Sequence, residues 1–122
     1  MSGQPPVSLK LPRRARIKAS RDFARARAQG KRIVCGCVIV NWLPAAATRV
    51  GVVTGRRLGE AVVRSRARRL LRESFRRHQH DLAQPVDLIL VARESVVRKN
   101  FGEVERDFLS ALRRARLLKT HQ

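Results

Sequence analysis

Residues 56–77 read RRLGEAVVRSRARRLLRESFRR, the most basic and most periodic stretch of the chain. Apolar and small residues recur there at the i, i+3, i+4 spacing of a helix that buries one stripe: Val63, Ala67, Leu70, Leu71, Ser74 and Phe75. The opposite side and its flanks carry Ser65, Arg66, Arg68, Arg69, Arg72 and Arg76. The pattern predicts a helix with Gly59 as its N-cap that runs to about His80 and has one apolar and one guanidinium face.

The charge of the whole chain indicates an anionic partner. The 122 residues include 28 Lys and Arg against 9 Asp and Glu, a formal net charge of +19. Solubility alone requires a net charge of only about 2 to 8 in magnitude for a small domain, so a merely solubilising surface is the weaker reading. Guanidinium groups fit phosphate as planar forks of donors, which favours nucleic acid. An anionic membrane surface is second, because no segment predicts a strongly amphipathic helix bearing Trp and Lys.

The ends of the chain and its cysteines predict one domain in the cytoplasm. Residues 1–12 are expected to form a flexible arm, residues 13–118 a single domain and residues 119–122 a tail. No apolar run is long enough to span a bilayer, and the start of the chain lacks the apolar core of a secretory signal. Cys35 and Cys37 are expected to be reduced, half-buried thiols, not a metal site or a disulfide, since no other cysteine could complete a ligand set.

The remaining segments alternate between strand and helix patterns. Helices are expected at 20–30, capped by its first residue and stopped by its terminal glycine, and at about 101–118. Strands are expected at 32–43, at 49–54 as the antiparallel partner of the first, and at 86–92 as an apolar central strand. This order predicts an α+β sandwich in which helices pack on a small sheet.

The acidic and histidine side chains do not form a catalytic set along the sequence. A two-metal nuclease needs several convergent carboxylates, whereas the nine here are scattered and His78 and His80 face different directions on one helix. Asp87, inside an apolar strand, is expected at an edge position or with its side chain turned inward, and not in a metal cluster. With four Phe, one Trp and no Tyr, recognition is expected to rest on phosphate, as suits a folded RNA. The chain therefore reads as a polyanion binder with no bond chemistry, metal or cofactor of its own.

Four motifs in order carry a family resemblance: Arg49-Val50-Gly51, Arg56-Arg57-Leu58-Gly59, Arg64-Ser65-Arg66, and Arg68-Arg69 followed by Arg72-Glu73. The series resembles the protein subunit of bacterial ribonuclease P over residues 9–118. That family has an Arg-Val-Gly strand, a Lys-Lys-x-Gly loop and an Arg-Asn-Arg core on one helix.

The resemblance implies an α+β fold with a small mixed sheet and three helices in the order α-β-β-(β)-α-β-α (ribosomal protein S5 domain 2-like). It also implies a left-handed βαβ crossover, which the general handedness rule would not predict. Residues expected to bind the catalytic RNA subunit are Arg56, Arg57, Arg64, Ser65, Arg66, Arg68, Arg69 and Arg72. Residues expected to bind the 5′ leader of precursor tRNA are Phe23, Arg27, Arg13, Arg14, Arg16 and Lys18. The implied holoenzyme requires Mg²⁺, performs its chemistry in the RNA, and contains one protein monomer per RNA.

The chain departs from the family pattern in ways that affect the site. Ser65 stands where the family has Asn, Arg56 and Arg57 replace lysines, and Arg27 occupies a commonly aromatic position, so leader binding is expected to use less stacking and more charge. Phe23 has two readings, a core anchor or an exposed stacking ring. The alternative function is a structural RNA-binding protein of the ribosomal type with no role in cleavage. A protein-only nuclease is disfavoured because the carboxylates do not cluster.

Overall fold

The computed structural model describes residues 15–17 and 20–119 as an α+β fold. Its helices are α1 (Ser20–Gln29), α2 (Ala61–His78) and α3 (Phe101–Arg114), and its strands are β1 (Lys31–Cys35), β2 (Val38–Pro44), β3 (Arg49–Val53) and β4 (Val86–Ala92). Short 3₁₀ turns at Arg56–Leu58 and Glu94–Arg98 precede α2 and α3. The strands form one mixed sheet in the order β1-β2-β4-β3. The predicted class, with three helices on a small mixed sheet, is confirmed; the arm at 1–12 and tail residues 120–122 lie outside the described residues.

The run at 32–43 folds as a hairpin, where the sequence predicted one strand. The chain reverses between β1 and β2 at Gly36, which has φ +56°, a conformation that L side chains rarely adopt. A Cβ at this position would also lie 2.2 Å from Oδ2 of Asp107 on α3. Backbone conformation and a close neighbour therefore both require glycine here, and the hairpin adds the fourth strand.

The predicted antiparallel pairing of the strand at 49–54 with the strand at 32–43 is wrong. β3 pairs with β4 in parallel, as in Gly51 opposite Ile89, and β2 pairs with β4 antiparallel, as in Val40 opposite Leu90. β4 takes a central place because six of its seven residues are buried, and a strand buried on both faces needs neighbours on both sides. β3, α2 and β4 thus form a parallel βαβ unit, and its left hand stays a prediction.

Helices cover the two faces of the sheet unequally. On one face α2 and α3 bury Leu71, Phe75, Phe108 and Leu112 against residues of β2 and β4 in the main core. On the other face a smaller cluster contains Ile17, Ala26 and Ile89, with Phe23, Val53 and Val91 half-buried at its margin. Because α1 is a single short helix, part of this second face stays open.

The ends of α1 and α2 differ from the expected caps. Glu60, not Gly59, is the N-cap of α2, and Gly59 has φ +135° in the preceding turn. Gly30 ends α1 without the left-handed conformation expected of a C′ glycine, since the positive-φ glycines among the described residues are at 36 and 59. A Cβ at Gly30 would lie 2.4 Å from the carbonyl oxygens of both Ala26 and Trp42. Close backbone approach, and not backbone conformation, therefore explains this glycine.

The last helix begins with a complete cap and ends earlier than predicted. Asn100 accepts a hydrogen bond from the backbone N–H of Glu103, whose side chain accepts from the N–H of Asn100. The helix ends at Arg114, and Arg116 has φ +59°. The chain then turns so that Leu117 is buried in the core, although periodicity had continued the helix to residue 118.

Candidate nucleic-acid interface

The outer face of α2 carries most residues predicted to bind an RNA subunit. Ser65, Arg66, Arg69 and Arg72 are exposed, and Arg64 and Arg68 are half-buried. The same helix turns Ala67, Leu71, Ser74 and Phe75 into the protein, as its periodicity predicted. The structure therefore brings these six residues together on one surface.

Two of these arginines are fixed by hydrogen bonds within the protein. Arg68 donates from Nη1 to the Thr54 hydroxyl at 2.8 Å and from Nη2 to the Ser65 hydroxyl at 3.0 Å. Arg66 donates from Nη2 to the carbonyl oxygen of Lys99 at 2.9 Å. Both guanidinium groups keep further N–H donors for a ligand. Serine at position 65 thus positions a neighbouring arginine, a role that the sequence had not indicated.

Positive charge is concentrated where the segment before α1 passes α2. Ile17 donates its backbone N–H to the carbonyl of Val50 at 2.8 Å, which places Arg16 beside β3. Burial, then the charges of Arg16 and Arg68, lower the pKa of Arg72. These three guanidinium groups have no ion pair with a carboxylate among residues 15–17 and 20–119. Arg16, predicted for the leader set, therefore lies near the arginines of α2, and the cluster favours an external anion.

The loop before α2 exposes two more arginines on a rigid turn. Leu58 is buried and anchors the 3₁₀ turn, while Arg56 and Arg57 are exposed. Backbone hydrogen bonds from Leu58 to Gly55 and from Gly59 to Arg56, both 3.2 Å, close the turn. The turn directly precedes α2, and its residues also line a cleft.

That cleft is open, has a volume of about 890 Å³, and lies beside the ends of β3 and β4. Four of its lining residues are arginines, Arg27, Arg56, Arg57 and Arg93, against a single acid, Glu94. Arg93 donates from Nη1 to the carbonyl oxygen of Gly36 at 3.0 Å. Arg93 was absent from the predicted site residues. It directly follows β4, and because β3 and β4 are parallel, their carboxyl ends lie at the same edge of the sheet.

An apolar row crosses the same side of the sheet. Val34 pairs with Ile39, Ile39 with Val91, and Val91 with Val53, so four aliphatic side chains lie in register across all four strands. Val34 is 38% exposed and the other three are half-buried. The row contains no aromatic residue, and the shift of leader binding from stacking toward charge stays a prediction.

Phe23 packs on the sheet from α1. A Cβ added to Gly51 would lie 2.6 Å from the Phe23 ring, so the ring occupies the space above this glycine. Phe23 is half-buried beside Ile17, Ala26 and Ile89. It also lines a shallow pocket of about 290 Å³ with Arg27. The core-anchor reading is therefore supported, and a stacking role stays a prediction.

A charged network fixes α1 to the sheet. Arg49 binds Asp87 through two hydrogen bonds, Nε to Oδ1 at 2.9 Å and Nη2 to Oδ2 at 2.8 Å. From α1, Asp22 lies 3.4 Å from Arg49, and Arg25 lies 3.7 Å from Asp87. The hydrogen bonds to Asp87 raise the pKa of Arg49. Asp87 is 1% exposed on a central strand. The expected edge position is therefore wrong, and the alternative of an inward-turned side chain holds, since burial is possible when the charge is paired.

Other predicted features have the following places. Arg13, Arg14 and Lys18 lie outside the described residues. Cys35 and Cys37 are free thiols, half-buried and buried respectively, and burial followed by Asp107 raises the pKa of Cys37 to about 12. In the described part of the chain, no three His, Cys, Asp or Glu side chains group as metal ligands, and no helix has the length and apolar character to cross a bilayer.

Comparison with known proteins gives a consistent family. The family model Ribonuclease P matches residues 11–116. A ribonuclease P protein component of Syntrophomonas wolfei is 31% identical over 109 residues, 88% of this chain and 92% of the relative. A Thermus thermophilus component is 39% identical over 103 residues, 84% of this chain but 61% of that longer protein.

Solved structures give the same fold. The RNase P protein from Thermotoga maritima superposes with a TM-score of 0.74 at 27% identity, covering 81% of this chain and 96% of that protein. The Staphylococcus aureus RNase P protein has a TM-score of 0.79 at 24% identity and covers 86% of this chain and 98% of that protein, which supports the fold alone.

Proposed function

Because the chain belongs to the bacterial ribonuclease P protein family, we propose that it is the protein subunit of a ribonucleoprotein that removes the 5′ leader from precursor tRNA. The proposal rests mainly on one observation: two basic surfaces of the protein meet at the 3₁₀ turn Arg56–Leu58. The outer face of α2 and the cleft beside α1 share Arg56 and Arg57 as a common border. One RNA can therefore bind each surface while both contact the same rigid turn.

The α2 face is suited to a folded RNA subunit. Its arginines lie along a single helix of 18 residues, which has a length of about 27 Å at 1.5 Å per residue. A folded RNA presents several phosphates over such a distance, and contacts to phosphates do not depend on the base sequence. Arg66 and Arg68 are already held by internal hydrogen bonds, so they lose less side-chain entropy on binding than free arginines would. The proposed partner on this face is the catalytic RNA, with one protein monomer per RNA.

The cleft is suited to a single strand such as a tRNA leader. Arginine side chains line the cleft, and its aliphatic row lies on the sheet. Unpaired bases can bury apolar surface against this row. Arg27 and Arg93 lie at the cleft and Arg56 and Arg57 at its border with the α2 face. A leader that runs through the cleft would therefore enter it next to the RNA subunit.

The carboxylates of the chain serve structure, which supports placing the bond chemistry in the RNA. Five of the nine Asp and Glu residues form ion pairs with Arg or Lys inside the protein: Asp22, Glu73, Asp87, Glu105 and Asp107. Asp81 contacts a ring nitrogen of His78 at 3.0 Å. Glu103 belongs to the cap of α3. Hydrolysis at a phosphodiester would use Mg²⁺ held by the RNA, and the protein would bind, position and neutralise phosphate.

The test is reconstitution of the full chain with the ribonuclease P RNA encoded in the same genome. We expect no cleavage of precursor tRNA by the protein alone, and Mg²⁺-dependent release of the intact leader when the RNA is added. A protein that binds this RNA no more tightly than it binds unrelated ribosomal RNA, and that does not stimulate cleavage, would favour the structural ribosomal-type alternative.

A further inference from the structure

A groove of about 420 Å³ lies between α2 and the start of α3, and it shares no lining residue with the cleft. It is lined by Arg66, Arg69, Leu70, Glu73 and Phe101. The four residues from α2 are spaced at i, i+3, i+4 and i+7, so they share one helix face. The volume lies within the range of about 300–1,000 Å³ that is typical of small-ligand sites.

The aromatic ring at the groove is not used in the core. Phe75 and Phe108 are fully enclosed, and Phe23 packs on Gly51, whereas Phe101 is half-buried. The guanidinium carbon of Arg77, which does not line the groove, lies 5.2 Å from the centre of the Phe101 ring. Arg77 is itself 3.8 Å from Glu105. The ring is therefore held in place, and part of its surface borders the groove.

Polar groups around the ring match a nucleotide. Arg66 is fixed by its bond to the Lys99 carbonyl, and Arg69 is exposed with no ion pair in the described part of the chain. These two guanidinium groups can hold phosphate. Glu73 accepts two hydrogen bonds from Arg76, from Nε at Oε1 (2.8 Å) and from Nη2 at Oε2 (2.5 Å), and these contacts lower the pKa of the Glu73 carboxyl. A carboxylate oxygen has a second acceptor site, which suits the exocyclic amino group of cytosine, adenine or guanine.

We propose that this groove binds one unstacked nucleobase of the RNA that contacts α2, with the base against Phe101 and its phosphate between Arg66 and Arg69. The inference rests on the proposed function, because it assumes that α2 faces RNA. It adds base stacking to a surface that the sequence had assigned to phosphate contacts alone. Stacking on aromatic side chains is a general means of holding splayed-out bases.

The test compares Phe101→Leu with Phe101→Tyr in the full chain, titrated against the ribonuclease P RNA encoded in the same genome. Phe101→Leu keeps apolar volume but removes the flat ring, and we expect binding to weaken by about 5- to 150-fold. Phe101→Tyr keeps the ring, and we expect binding within about threefold of the original. The slope of log K against log salt should stay unchanged in Phe101→Leu, because no phosphate contact is lost. Ultraviolet crosslinking of the complex should attach a nucleotide to the peptide that contains Phe101.

Val97→Ala, at an exposed position outside the groove, is the control, and thermal unfolding of each free variant is measured alongside. Equal binding by Phe101→Leu and the original chain would overturn the proposal. Equal weakening by the Leu and Tyr variants would also overturn it, because the effect would then not depend on a flat ring. Arg64→Ala and Arg72→Ala separate the two hypotheses, since neither residue lines the groove. If these arginine variants bind RNA normally, the proposed α2 interface itself is wrong; if they weaken binding and Phe101→Leu does not, only the base site is wrong.

Discussion

Arg49 and Asp87 face each other across the parallel pair β3 and β4, joined by two hydrogen bonds of 2.9 and 2.8 Å. Asp87 is almost fully buried, and Arg49 also contacts Asp22 on α1. The pair therefore connects the parallel strands to the helix that forms one wall of the cleft.

Removal of the buried carboxylate is expected to destabilise the fold. Asp87→Ala leaves Arg49 without its main partner. Because the Arg49 side chain is 30% exposed and keeps its contact with Asp22, the free energy of unfolding should fall by about 1.5–3 kcal/mol. Urea denaturation followed by circular dichroism measures the free energy of unfolding. Glu94→Ala, an exposed acid in the cleft, is the matched control and should change stability by less than about 0.5 kcal/mol. Similar values for the two variants would show that the Arg49–Asp87 pair does not support the sheet.

Binding of the RNA subunit is expected to depend strongly on salt. With about six phosphate contacts, log K should fall with log salt at a slope of about −4 to −5, using the single-strand coefficient. Replacement of Arg64 and Arg72 together with Ala should reduce the magnitude of this slope by about 1.4. Fluorescence titrations at several KCl concentrations measure it. Replacement of Arg113 and Arg114, which are exposed on α3, removes the same charge elsewhere; an equal change in slope would show that net charge, and not the α2 face, controls binding.

The cleft arginines are expected to affect precursor tRNA selectively. Only the precursor carries a leader, so replacement of Arg27 and Arg93 with Ala should weaken its binding by about tenfold, roughly 1.4 kcal/mol, and leave mature tRNA unchanged. The measurement is a titration of each tRNA against the reconstituted holoenzyme. Arg98→Ala, exposed but not part of the cleft, should affect neither. A loss shared by both tRNAs would place these arginines outside the leader path.

Periodicity and composition predicted the local elements better than their assembly. The apolar stripe of α2 through Leu71 and Phe75 can be recognised in the sequence because a helix face recurs every three to four residues. The structure buries this stripe as expected. The parallel pairing of β3 with β4 joins two strands that α2 separates along the chain. A local sequence pattern carries no information about such a long-range pairing. Gly36 was hidden inside a β-branched run, so the hairpin was missed. Arg93 has no periodic signal, since its place at the cleft depends on the strand order.

The two cysteines are expected to differ in reactivity. Burial, then the hydrogen bond and charge of Asp107, raise the pKa of Cys37 from 9.0 to about 12. A raised thiol pKa contributes stability that is fully present below the unfolded value of 9.0 and is lost as the pH rises toward 12. At pH 8 to 9, iodoacetamide should therefore label Cys35 in the folded chain and Cys37 only after unfolding, as measured by mass spectrometry. Cys35→Ser should remove labelling of the folded chain; rapid modification of Cys37 in that variant would contradict the buried, protonated thiol.

The position of Phe23 over Gly51 allows its two readings to be separated. Phe23→Leu keeps much of the packing beside Ala26 and Ile89, so the free energy of unfolding should fall by less than about 1.5 kcal/mol. Gly51→Ala leaves the ring intact but places a Cβ 2.6 Å from it, and relief of that overlap must move the ring at a cost of about 1–3 kcal/mol.

If the ring stacks on a leader base, both variants should bind precursor tRNA more weakly relative to mature tRNA and assemble normally with the RNA subunit. The loss should reach about 1–3 kcal/mol for Phe23→Leu, since stacking on a flat ring is removed. Titrations of the reconstituted holoenzyme with both tRNAs, beside urea denaturation of the free protein, give the two quantities. If stability falls in both variants while the preference for precursor tRNA is unchanged, Phe23 acts only as a core anchor, because its contact with Gly51 then serves packing alone. Leader binding would in that case depend on Arg27, Arg93 and the aliphatic row of the sheet.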